Sequence, residues 1–269
     1  MAAGGYLGYR DDDTNTPYGK FFQPDMAPLP RHVIEALEHG PQAGPTLLAF
    51  DDLGTLADDG YQQTENGYGV LDDGSIQVAV RTDMPGVTPQ MWSWWFGWHG
   101  SDSRRYKLWH PRAHVSAAWQ DGDDAGRRGS ARYVGRTSSI SEYIGSSMLH
   151  AAIRFLVPAT FGLPAADDDV VPVCARLGSR DVPVDAGWFI HHIRSTSNGS
   201  EMRSRFWLGG PYIAVRKAPG LANRVVRPVA SHILGASADY ARNLMVHCAQ
   251  EMNHLAGFLP ALYEQFGDE

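Results

Sequence analysis

The most regular hydrophobic pattern lies near the C-terminal end of the chain. Tyr240, Leu244, His247, Glu251, Leu255, Phe258 and Leu262 recur at spacings of three and four. That period predicts a helix with one inward-facing stripe. Ser237 suits its N-cap, so the helix is expected over Ala238–Phe266, with Pro260 kinking it or closing its first segment. Upstream the pattern changes to short apolar runs broken by turns. Tyr68–Leu71 and Ser75–Thr82 flank Asp72-Asp73-Gly74, a hairpin signal. Thr88 and Pro89 open a predicted helix reaching about His99. His110–Trp119 reads as a second short helical piece, with Pro111 at its second position. Tyr133–Ile144 and Ala151–Pro158 read as strands. Gly187–Thr196 and Glu201–Leu208 form a strand pair turning at 197–200, and Ile213–Lys217 is a weaker strand. The stretch 121–130 reads as a solvated loop, and 164–187 as short apolar runs without an assigned element. Residues 1–45, rich in Gly, Pro and Asp, are expected to be an arm with one helical piece over Pro30–His39, and 46–269 a single domain. Strands followed by a terminal helix predict an α+β fold built on an antiparallel sheet.

Composition narrows the class. With 43% hydrophobic and 20% charged residues among 269, the chain has ample material for a core and is neither disordered nor fibrous. A net charge of −7 disfavours nucleic acid, which calls for a basic face. Two cysteines, Cys174 and Cys248, are too few for a disulfide framework or a cysteine zinc site. No stretch reads as a signal peptide or a membrane span, so a soluble, cytoplasmic protein is expected. Trp92, Trp94, Trp95 and Trp98 fall within seven positions. Aromatics so dense either pack a core or line a ligand cavity, and composition leaves both open.

The terminal stripe carries an oddity. His247 and Glu251, four apart, sit within its apolar face. A buried carboxylate is costly unless paired or bound to a metal, and a His and a Glu one turn apart can offer two ligands to one cation. Other candidates lie far away in sequence. His110 and His114 are also four apart, Glu142 falls in an apolar strand, and His191 and His192 are adjacent. Strand alternation allows only one of that last pair to face inward. Each histidine alone is better explained as structural; the case for a metal is the set.

The run Met91-Trp-Ser-Trp-Trp-Phe-Gly-Trp-His99, followed by Arg105-Tyr-Lys-Leu-Trp-His-Pro-Arg-Ala-His114, resembles the 2,4-diacetylphloroglucinol hydrolase and phloretin hydrolase family. Ser204-Arg-Phe-Trp-Leu-Gly209 and the His247/Glu251 helix follow in the same order, so the resemblance covers roughly residues 45–266. It implies a Bet v 1-like helix-grip fold, in which a curved antiparallel sheet surrounds a long C-terminal helix and an internal cavity. It also implies a zinc-dependent hydrolase that cleaves the carbon–carbon bond between an acyl group and a phenolic ring or a β-diketone-like carbon. By position the zinc ligands would be His114, Glu142, His247 and Glu251, with His110 competing for the place of His114. His191 would be an active-site histidine, with His192 its alternative, and Tyr106 would hydrogen-bond substrate. Trp95 would belong to an apolar substrate wall. Two substrate-contacting positions depart from the family: an asparagine is replaced by Ala117 and a tyrosine by Phe206. Both changes remove polar contacts, which points to a larger or less hydroxylated acyl-phenol, or a polyketide.

The implied partner is therefore a small aromatic substrate, with no nucleic acid or membrane, in a chain that can form a homodimer. Two other classes compete. A metal-free helix-grip carrier of aromatic or polyketide ligands would lack the metal. A non-haem iron oxygenase would use two histidines and a carboxylate on Fe(II) and depend on oxygen.

Overall fold

The computed structural model describes residues 6–122, 126–216 and 237–269. Among these, nine strands form one antiparallel sheet: β1 (Gly67–Val70), β2 (Ser75–Pro85), β3 (His114–Trp119), β4 (Thr137–Ile144), β5 (Ser147–Leu156), β6 (Val170–Ser179), β7 (Val184–Thr196), β8 (Gly199–Gly209) and β9 (Ala214–Val215). Their order is β1-β2-β8-β7-β6-β5-β4-β3, with β9 pairing β7. The helices are α1 (Arg31–His39), α2 (Pro89–Trp98), α3 (Ser103–Trp109), α4 (Ala238–Ala256) and α5 (Leu259–Phe266). The sheet curves round α4, which packs against β1, β2 and β4. This is the predicted α+β helix-grip arrangement, an antiparallel sheet around a long C-terminal helix. No helix among the described residues is long and apolar enough to cross a membrane.

Both hairpins form where the turn residues place them. Gly199, at φ 142°, closes the β7–β8 turn in a conformation that favours glycine. The terminal helix is N-capped by the Ser237 side chain, which accepts from Tyr240 N–H. It divides at Gly257-Phe258. Pro260 then falls in the first turn of α5, where its missing N–H is harmless.

At β8 both faces of the sheet are covered. Residues Ser204, Phe206 and Leu208 of β8 face α4, while Arg203, Arg205 and Trp207 face away. The segment through Leu53, Leu56 and Glu65 lies over that outer face. Leu53 and Leu56 pack with Cys174, Ile190 and Trp207 in a second small core, and Glu65 pairs with Arg203 and Arg205. Coverage on both sides explains why β8 is buried almost throughout.

Three sequence expectations need correction. His110–Trp119 is not a helix. The helix is α3, capped by the Asp102 side chain. It stops at His110 because Pro111 drives the preceding residue out of the helical region, and His114–Trp119 then runs as β3. The stretch 164–187 contains β6, a full strand. The weak strand over Ile213–Lys217 shrinks to β9, and Lys217 lies outside the described residues, as does part of the 121–130 loop. The tryptophan-rich helix α2 is core: Trp92, Trp95 and Trp98 are fully buried and Trp94 nearly so.

The N-terminal segment is pinned to the elements beside the cavity. The Tyr6 hydroxyl donates to the His114 carbonyl at 2.8 Å, Gly8 N–H to the Pro111 carbonyl at 2.7 Å, and Lys107 pairs with Asp13 at 3.0 Å.

Candidate metal centre

His114 and Glu142 stand directly opposite each other in the β3–β4 ladder, so both side chains leave the sheet on one face. The register shifts between His114 and Ser116, a bulge at the point where the imidazole is aimed. From the opposite side α4 presents His247 and Glu251 one turn apart. The four groups converge. His114 Nε2 lies 3.3 Å from Glu251 Oε2 and 3.5 Å from Glu142 Oε2. His247 Nε2 lies 3.7 Å and 3.9 Å from the same two oxygens. Ligand atoms of His114, Glu142 and His247 all fall within 4.8 Å of one another.

The surroundings fix how each ligand points. His114 Nδ1 is 3.0 Å from the Tyr106 carbonyl, which can only accept, so Nδ1 carries the hydrogen and Nε2 the lone pair. That Nε2 is buried and has no hydrogen-bond partner. The His247 ring bonds the backbone of Tyr143. The Tyr106 hydroxyl donates to Glu142 Oε2. Burial pushes the Glu142 carboxyl up to about 7 and that of Glu251 well above the usual range, with Glu142 adding to the latter. Burial drives both imidazoles well below theirs. Two neutral imidazoles and two crowded carboxylates in a dry site are an unstable set by themselves. Their nitrogen and oxygen donors, with an orphaned Nε2 among them, fit a divalent cation.

His110 does not join this group. Its ring stacks on His247 at 4.8 Å and is held by the Gln250 side chain. His191, on β7, faces the centre. Its Nδ1 is 2.8 Å from Ser204 Oγ, and burial holds it neutral, down to about 3. His192 faces the other side of the sheet, with neither ring nitrogen hydrogen-bonded.

A cavity of about 70 Å³ opens beside the carboxylates. Phe96, Trp109, Phe155, Phe189 and Phe206 give it aromatic walls, and His99, Tyr106, Ser138, His191 and Tyr240 contribute polar atoms. It shares Ile144, Leu149, Leu177 and Tyr240 with an outer cavity of about 550 Å³. Trp95 and Ala117 do not line the inner cavity. Trp95 lies behind His99, stacked on its ring, and Ala117 sits buried opposite Ile140. Sequence reasoning missed His99, Trp109, Ser138 and Tyr240. His99 had a visible signal, since it ends the tryptophan helix four residues after Trp95.

Residues 47–264 match the family model of the DAPG hydrolase PhiG domain. The chain is 32% identical to 2,4-diacetylphloroglucinol hydrolase of Pseudomonas protegens over 94% of its own length and 85% of the relative's. It is 29% identical to phloretin hydrolase of Eubacterium ramulus over 97% and 94%. Among solved structures, Ara h 8.0201 overlaps 64% of this chain and 98% of its own at 9% identity and a TM-score of 0.32. Norcoclaurine synthase from Thalictrum flavum overlaps 66% and 92% at 15% identity and a TM-score of 0.30. At such scores the fold description rests on the sheet and helices themselves. The sequence matches carry the assignment: this chain belongs to the DAPG hydrolase PhiG domain family.

Proposed function

We propose that the chain is a zinc hydrolase that removes an acyl group from a ring carbon of an acylated phenol. Membership of its family makes it a hydrolase acting on carbon–carbon bonds in ketonic substances. The observation that carries the metal-dependent reading is the meeting of His114, Glu142, His247 and Glu251 at one end of an aromatic cavity. Two imidazoles and two carboxylates suit zinc in number and donor type.

The net reaction adds water across the bond: the acyl carbon gains hydroxyl, the ring carbon gains hydrogen, and the bond between them breaks. When bound, the metal supplies Lewis-acid polarisation of the acyl oxygen and a more acidic water. The chain supplies the rest. Tyr106 holds Glu142 through its hydroxyl and His114 through its carbonyl, so the two ligands keep a fixed relation. His191 stands inside the cavity, braced by Ser204, to move a proton to the ring carbon. Phe96, Phe155, Phe189 and Phe206 exclude bulk water from the ring.

The inner cavity is smaller than pockets that enclose a whole drug-sized ligand, which measure roughly 300–1,000 Å³. The remainder of the substrate therefore extends past Tyr240 into the outer cavity. With Phe206 in the cavity wall in place of a polar family residue, substrates bulkier or less hydroxylated than diacetylphloroglucinol are favoured. The deciding experiment couples metal analysis of the purified protein to a panel of acylphenols read by product mass. Stoichiometric zinc with release of a carboxylic acid and the deacylated phenol is expected. A metal-free protein, or one that binds the panel without cleaving any member, overturns the reading.

A further inference from the structure

The inner cavity holds a second imidazole outside the metal centre, His99. It follows directly on α2, and its Nδ1 lies 2.8 Å from the Trp95 carbonyl. A carbonyl only accepts, so Nδ1 carries the hydrogen and Nε2 keeps its lone pair. Among the described residues Nε2 has no hydrogen-bond partner, yet it is not among the walled-in polar atoms. In a side chain that is buried and lines the cavity, it opens onto that space.

The ring cannot turn to present its other nitrogen. Trp95 stacks on it at 5.3 Å and 22°, and Tyr106 at 5.7 Å and 25°. Trp109 meets it edge-on at 5.4 Å. Burial also holds the ring neutral, down to about 4. His99 thus presents one fixed, uncharged acceptor within an apolar wall. His191 differs. Its Nδ1 faces a serine hydroxyl that can donate or accept, so its tautomer is free to change and suits proton transfer. A locked tautomer suits recognition.

On an acylated phenol, ring hydroxyls can donate to such an acceptor and acyl oxygens cannot. We propose that His99 is a specificity-determining residue that accepts a hydrogen bond from a ring hydroxyl of the substrate, and so selects hydroxylated rings over bare ones. This rests on the acylphenol reading above. It also supplies a polar contact in a wall where Phe206 offers none. A site built around an unmet acceptor rejects analogues that lack the donor, because the buried group is then left unpaired.

The test uses the zinc-loaded enzyme and two acylphenols that differ by one ring hydroxyl, with the methyl ether of that hydroxyl as a third. Binding is measured by calorimetry and turnover by product mass. The unmodified enzyme is expected to prefer the free hydroxyl at least ten-fold over both the dehydroxy compound and the ether. His99→Phe retains a stacking ring without the acceptor. It should keep its zinc and bind the dehydroxy compound at least as tightly as the parent while the preference falls to near unity; His99→Leu decides the point should the phenylalanine variant not fold. A preference that survives both substitutions overturns the role of His99 while leaving the hydrolase reading intact. An unmodified enzyme that neither binds nor cleaves any of the three overturns both.

Discussion

The phenol ring of Tyr106 lies 3.8 Å from the imidazole of His114, with only 3° between the ring planes. The same residue bonds His114 through its carbonyl and Glu142 through its hydroxyl, so one side chain and its backbone register two candidate ligands at once. Partners behind metal ligands typically matter 10–100-fold in affinity or activity. Tyr106→Phe keeps the stack and the carbonyl and loses only the hydroxyl. Zinc affinity is expected to fall about ten-fold or more, measured by competition with a chelator. Unchanged zinc affinity with a raised KM would assign the hydroxyl to substrate instead.

Glu251 faces Glu142 across a buried space, and both carboxyls are pushed up by burial. Glu251→Gln removes one of two ionisable groups that share the site while preserving its shape. The metal-free variant should melt above the metal-free parent, because one costly buried acid is gone. Its melting temperature should no longer respond to zinc, and turnover should be lost. A variant that still binds one zinc per chain removes Glu251 from the ligand set.

The zinc response should itself depend on pH. Without metal the folded-state value for Glu142 is about 7 against an ordinary 4.5. A raised carboxyl favours the fold fully below its unfolded value, and that contribution disappears as pH climbs through the folded one. Metal-free protein therefore loses stability between about pH 4.5 and 7, by up to about 3 kcal/mol. Zinc binds the ionised form and reverses this loss. The rise in melting temperature on adding zinc should grow from pH 5 to pH 7.5, and a rise of constant size across that range contradicts the assignment.

Much of this arrangement was legible in the chain. The His247/Glu251 pair could be placed on one helical face because helix periodicity is local and the Ser237 cap marks its start. Alternation in β7 alone puts His191 and His192 on opposite faces, as the strand pairing has them. The convergence of His114 on Glu142 was not legible from pattern, because it depends on a cross-strand register set by residues far apart in sequence. Pro111 misled for a specific reason. A proline can open a helix or end the preceding one, and only the Asp102 cap of α3 shows which occurs here. The tryptophans read as a possible cavity wall because apolar spacing does not tell a core helix from a lining one. The polar exception within that block, His99, reaches the cavity.

His192 offers a stability test away from the centre. It is buried beside Arg203, Arg194 and Arg205, and neither ring nitrogen has a partner. Burial, with those arginines, brings its folded-state value down to about 4. A depressed histidine leaves the fold unpenalised above the ordinary value of 6.5 and destabilises it as pH falls towards 4, because the unfolded chain takes up the proton first. His192→Leu removes both the unmet polar atoms and this proton uptake. It should raise stability by about 1 kcal/mol at pH 7 and move the acid unfolding midpoint lower. Denaturant melts at pH 7 and pH 5 check both, and a larger gain at pH 5 than at pH 7 is the expected signature.

His191 is the sharpest test of the chemistry. Its Nδ1 contacts Ser204, its ring stacks on Phe96, and it touches none of the four candidate ligands among the described contacts. Burial keeps it neutral down to about pH 3, so it cannot begin a catalytic cycle as an imidazolium at physiological pH. It can act as a relay, taking a proton from a ring hydroxyl and delivering one to the ring carbon as the carbon–carbon bond opens. A positioned acid–base group of this kind contributes roughly 10²–10⁴-fold. His191→Ala should therefore retain full zinc and near-normal stability while kcat falls by that range. Because the relay starts neutral, the parent enzyme should show no acidic limb near pH 6.5 attributable to His191. The alanine variant should accordingly keep the parent's pH profile at a lower level. Undiminished turnover removes His191 from the mechanism, and parallel loss of zinc would make it structural.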